Sequence, residues 1–89
     1  MNFYDYADAI NANLIIHKYA NQNNRWTASF ESCEVSENEA VLCSAYGNGG
    51  SAEGAIIDYI SQIAEKKIVF NAMSKDYRRE FKVPANLTL

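Results

Sequence analysis

Seven apolar residues near the middle of the chain, Ala52, Ala55, Ile56, Tyr59, Ile60, Ile63 and Ala64, follow one another at helical spacing. That spacing gathers them on one side of an α-helix and leaves Glu53, Asp58, Ser61, Gln62 and Glu65 on the other. A helix so marked on one side is stable only when a second layer covers the stripe. Burying those side chains contributes on the order of 10 kcal/mol before chain entropy is subtracted. Ser51 suits the N-cap. Glu53 near the start and Lys66-Lys67 near the end suit the helix dipole.

The covering layer is expected from the β-rich segments before the helix. Residues 14–20 are β-branched and aromatic, and Asn21-Gln22-Asn23-Asn24 is turn chemistry. Residues 25–35 alternate with Trp26, Ala28 and Phe30 on one face. The apolar phase then moves to Cys33 and Val35, which predicts a bulge near Glu31-Ser32. Residues 36–39 turn the chain, 40–46 return as a third strand, and Gly47-Asn48-Gly49-Gly50 ends it. Those glycines are expected to supply positive φ at a strand-to-helix turn. They lack the Lys-Ser/Thr of a phosphate-binding loop and the spacing of a dinucleotide fingerprint.

At the N-terminus, Phe3, Tyr6, Ala7 and Ile10 form a short helical stripe behind an Asn2 cap. After the long helix, 67–73 and 78–83 predict a hairpin closed by Pro84. The expected fold is a single α+β domain over residues 1–89, in the order α-β-β-β-α-β-β. A three-stranded antiparallel meander plus a C-terminal hairpin is packed by one long amphipathic helix, with a short helix at the N-terminus.

Composition narrows the function classes. The chain has 89 residues, 48% of them hydrophobic and 21% charged, which fits one globular core. No apolar run approaches the roughly 20 residues of a membrane span. The first residues lack the basic and apolar regions of a secretory leader, so a cytosolic location is expected. In that reducing setting Cys33 and Cys43 read as small hydrophobes with free thiols rather than a redox pair. A hairpin loop centred on Asn38 would set them opposite each other. Two cysteines and His17 are too few for a four-ligand Cys/His zinc site. The acidic run lacks the pattern of a calcium loop. His17 has no assignable nucleophile or carboxylate partner. Neither a catalytic group, a metal nor a cofactor is expected.

Charge is uneven. Residues 1–65 carry Lys18 and Arg25 against nine acids, a balance of −7; residues 66–89 carry six bases against two acids, a balance of +4. An acidic body disfavours general nucleic-acid binding. Exposed Tyr with Arg is the composition of protein-binding surfaces, and Tyr4, Tyr19, Tyr46 and Tyr77 fall outside the core stripes. The candidate partner-binding residues are therefore an acidic hairpin, Glu31, Glu34, Glu37 and Glu39, together with Tyr46, Tyr77, Arg78 and Arg79.

From Arg25 to Phe70, the three strands, the run Gly47-x-Gly49-x-Ser51-x-Glu53-x-Ala55 and the helix that follows resemble the HicB-type antitoxin domain. Gly54 stands where that family has a second Glu. The resemblance implies a helix across a three-stranded meander and binding of a partner, as in neutralising a small toxin. The first helix, meander and second helix are also similar to a double-stranded-RNA-binding domain. In place of that domain's Lys-Lys helix entry, this chain has Ala52-Glu53-Gly54. In size, acidity and pattern the chain resembles small phage accessory proteins, including anti-CRISPR proteins. The expectation is a non-enzymatic inhibitor that occupies a basic surface on a bacterial protein or ribonucleoprotein complex.

Overall fold

The computed structural model describes residues 1–22, 24–38 and 41–89. It is an α+β fold with two helices and seven strands among the described residues. In chain order these are α1 (Phe3–Ala9), β1 (Leu14–Lys18), β2 (Trp26–Phe30), β3 (Cys33–Asn38), β4 (Val41–Cys43), β5 (Gly47–Gly49), α2 (Ala52–Ile63), β6 (Lys67–Phe70) and β7 (Arg79–Lys82).

The strands form two antiparallel sheets rather than a meander beside a hairpin. One has the order β1-β2-β5 and the other β4-β3-β6-β7. The expected strand over 25–35 is split at Ser32, whose φ of 57° lies in the left-handed region. An extended ladder cannot continue through that conformation, so residues 33–38 pair in the other sheet, Cys33 with Phe70 and Val35 with Ile68. The change of apolar phase near Glu31-Ser32 is therefore a change of sheet, not a bulge. The expected third strand, 40–46, breaks in the same way. β4 stays beside β3, and residues 44–46 cross back so that Gly47–Gly49 becomes an edge of the first sheet.

α2 rests on the first sheet. It buries Ala55, Ile56, Tyr59 and Ile63 and leaves Ala52, Ile60 and Ala64 half-buried, so one face of the stripe is covered. Ser51 caps it, accepting from the Gly54 amide. The helix ends before Lys66 and Lys67, which fall in the turn and in β6 rather than in its last turn. The glycines before it do not supply positive φ, as no glycine in the chain has it. They allow close approach instead. A Cβ on Gly47 would strike the carbonyl oxygen of Ala55 and lie 2.5 Å from the amide nitrogen of Tyr59; on Gly49 it would lie 2.5 Å from the amide nitrogen of Ala55. Left-handed positions fall to Asn11, Asn21, Asn24, Ser32, Glu65 and Asn71. Asparagine tolerates that conformation better than most residues.

The core is aromatic at its centre. Phe3 stacks on Phe30 with centroids 5.2 Å apart, and Tyr59 stands edge-on to both. α1 is held at each end. Asn2 accepts from the amides of Tyr4 and Asp5, and Thr88 pairs beside Asn2 and accepts from Phe3 N–H at 2.6 Å. At the other end the Arg79 guanidinium donates to the Ile10 and Asn11 carbonyls. A cation there also suits the helix dipole.

Gly47→Ala is expected to cost about 3 kcal/mol, because backbone atoms must move to admit one methyl group. Gly50→Ala has open space around it and is expected to be nearly neutral. Denaturant melts of the two variants check this; equal stabilities would contradict the close packing of α2 on β5.

Candidate functional site: a cleft between the sheets

Both crossings between sheets, Glu31-Ser32 and residues 44–46, occur at the same end of the molecule. Where the sheets part they leave an open cleft of about 760 Å³. Its walls come from β1 (Ile15), the end of β2 (Ser29), the crossing into β3 (Glu31 to Glu34), the segment Ser44 to Tyr46 and the turn Asn71 to Ser74. Among the described residues no Lys or Arg lines it, while Glu31 and Glu34 do.

Each wall has a local cause. Tyr46 and Asn48 are pinned by the polar side of α2: Asp58 accepts from the Asn48 amide at 2.7 Å, and Gln62 donates to the Tyr46 carbonyl at 2.7 Å. The Tyr46 ring is left exposed. The turn after β6 starts at Asn71, whose φ is 53° and whose amide donates to Ser32 at 2.9 Å. Its side chain also donates to the Tyr77 carbonyl, and Ser74 accepts from the Tyr77 amide. The turn so tied holds Met73 out with 97% of its surface exposed.

Behind the cleft, β5 is too short to pair with the end of β2, so the Phe30 amide lacks a ladder acceptor. Tyr59 supplies one: its buried hydroxyl accepts from Phe30 N–H at 3.1 Å. The nearby Cys33 thiol donates to the Glu34 carbonyl at 3.8 Å. Burial pushes the Tyr59 hydroxyl up from its ordinary value. Burial likewise pushes the Cys33 thiol up to about 11. Cys33 is thus a neutral wall residue and a poor nucleophile. Both cysteines are free. They do not face each other across the hairpin, as Cys43 sits opposite Val35, with a register shift between Ser36 and Asn38.

The structure gathers Glu31, Glu34 and Tyr46 of the sequence-derived candidates around the cleft and leaves Glu37, Tyr77, Arg78 and Arg79 outside its lining. Glu37 sits at the register shift between Ser36 and Asn38, 3.6 Å from Lys66. Glu39 lies outside the described residues. Tyr77 is exposed in the turn beyond Met73. Arg78 pairs with Glu80 at 3.0 Å and donates to the Ala72 carbonyl, so it braces the Met73 turn. Lys67 and Arg78 together hold the Glu80 carboxyl below its ordinary value. Arg79 clamps α1 with its guanidinium over Phe70 and Phe81, 4.9 and 5.5 Å from the ring centroids. Among the described residues Glu31 and Glu34 line the cleft while Glu37 pairs with Lys66, and both arginines make bonds within the molecule. Ile15, Ser29 and Met73 escaped the sequence reading. The sequence places Met73 in a strand over 67–73, whereas β6 ends at Phe70 and Asn71 takes a positive φ; its Asn identity is the one local signal for that stop.

No helix is long and apolar enough to cross a membrane among the described residues. No family model matches the chain, and no curated protein or solved structure matches it either.

Because folding raises the Cys33 value from 9.0 to about 11, the folded state holds a proton the unfolded state releases between those limits. That contribution to stability is complete below pH 9 and is lost as pH rises towards 11. The melting temperature is expected to fall over this window, and to fall less in Cys33→Ala. At pH 8 only about one part in a thousand of Cys33 is thiolate, so Cys43 should react first with a thiol reagent. Rapid reaction of both thiols in the folded protein would contradict the raised, largely protonated Cys33 thiol.

Proposed function

We propose that the chain is a protein-binding module that acts without catalysis, and that its partner presents a basic segment with apolar side chains to the cleft. One observation carries this reading. Two carboxylates stand in a cleft whose described lining has no cation, rimmed by the exposed apolar surfaces of Met73, Tyr46 and Ile15. Each part fits a different portion of such a segment. The carboxylates attract Lys or Arg and speed encounter. Met73 adapts to irregular apolar shapes, and Tyr46 offers a broad, rigid contact. An exposed methionine held out by a braced turn contributes nothing to the core. A partner that covers it removes apolar surface from water. A basic surface masked in this way is closed to phosphates. That is the action expected of an inhibitor of a nucleic-acid-processing complex, and an anti-defence role in a phage is the setting that suits it.

An extended peptide of alternating Arg and Leu is a direct probe. At low salt its amide-shift perturbations should cluster at Ile15, Ser29, Glu34, Tyr46 and Met73. Glu34→Lys is expected to weaken binding about tenfold, mainly through the on-rate, and Met73→Ser by a smaller factor, with melting temperatures nearly unchanged. Undiminished binding by Glu34→Lys, or perturbations centred on Lys75 and Lys82 with heparin as the better ligand, would overturn the proposal and point to nucleic acid.

A further inference from the structure

We infer that β1 is a self-association edge, along which two copies of the chain join antiparallel to make one continuous six-stranded sheet. β1 ends the order β1-β2-β5, so one side of it has no strand beside it among the described residues. The direction of its hydrogen bonds follows from both ends of the ladder. Glu31 N–H donates to the Asn13 carbonyl and Tyr19 N–H to the Arg25 carbonyl. Odd-numbered residues of this segment therefore face β2, and the amides and carbonyls of Leu14, Ile16 and Lys18 face outward. Edges like this are usually blunted by Pro, by a bulge or by inward charges. β1 has only Lys18, at its end, and exposes Ile15 and Ile16 on its two faces at 46% and 41%.

The occupant is a second copy because the strand is complementary to itself. The register that overlaps all of β1 puts Ile16 opposite Ile16 of the other copy, on the two-fold axis, and Leu14 opposite Lys18. It uses only the outward-facing groups, about six backbone hydrogen bonds in all. On the helix side the two Ile16 side chains cover each other. On the opposite side Ile15 meets His17. The same register brings Asn13 beside Tyr19 of the other copy. Glu31 already leans to that edge, accepting from the Asn13 amide group at 3.1 Å. Arg25 leans to it as well, its guanidinium 4.6 Å from the Tyr19 ring centroid. Each end of the joint thus sets the acidic pair Glu31–Asn13 against the basic pair Tyr19–Arg25. A two-fold contact needs such a self-complementary patch. The contact is small, so the dimer is a weak one that rises with concentration and falls with salt.

Sedimentation velocity on the protein alone, over a concentration series at low salt, tests this without any cleft ligand. The expected result is a monomer–dimer equilibrium in the range of tens to hundreds of micromolar. Ile16→Pro removes an outward amide and spares the β2 ladder, so it should be folded and monomeric. Glu31→Arg and Arg25→Glu should each weaken the dimer about tenfold, and the double variant should restore it. A wild-type protein that stays monomeric at millimolar concentration overturns the inference. So does a dimer that Ile16→Pro leaves intact, or charge reversals that do not compensate.

Discussion

Tyr59 reaches the Phe30 amide only because α2 lies directly on the backbone of β5. Gly47 and Gly49 allow that approach, since any side chain there would meet the helix backbone at Ala55 and Tyr59. Once the helix is seated, the Tyr59 ring stands edge-on to Phe3 and Phe30, and its hydroxyl takes the hydrogen bond that β5 is too short to provide. A buried amide without an acceptor would cost about 1–3 kcal/mol at the place where the first sheet ends. With the acceptor in place, the chain can leave that sheet at Ser32 and enter the second.

The cleft is a consequence of that departure. Two crossings between sheets at one end of the molecule keep the sheets from closing on each other there. Side chains around the crossings face solvent instead of a neighbouring strand. Glu31 and Glu34 line the cleft, and so do Ile15 and Tyr46. Arg78 and Arg79, candidates for partner contact in the sequence, serve the same end from within. Arg78 ties the turn that presents Met73, and Arg79 fastens α1 to the second sheet. The proposed partner site therefore depends on residues that do not touch it.

The helices were legible in the sequence because their signals are local and periodic: a cap at Asn2 or Ser51 and a stripe behind it. The α+β class followed from them. The sheets were less legible. Strand alternation identifies a face but not a partner, so residues 25–35 read as one strand when the left-handed Ser32 assigns its halves to different sheets. Serine carries no strong signal for that conformation, unlike the asparagines at 21, 24 and 71. The glycines misled for a related reason. Their composition suggested turn chemistry, whereas their role is contact with a helix that begins later in the sequence. Of the site, the charge pattern pointed to Glu31 and Glu34, and aromatic surplus to Tyr46. Nothing local marks Met73 or Ile15 as wall residues, since the wall exists only once distant crossings meet.

The central claim is that a side-chain hydroxyl completes the first sheet at its open end. Amide hydrogen exchange at Phe30 in the native protein tests it most directly. Phe30 N–H has no backbone acceptor, yet its bond to buried Tyr59 predicts exchange as slow as that of Ile68 and Phe70 in the middle of the second sheet. Exchange at Phe30 as fast as in the exposed turn around Asn21 would contradict the account.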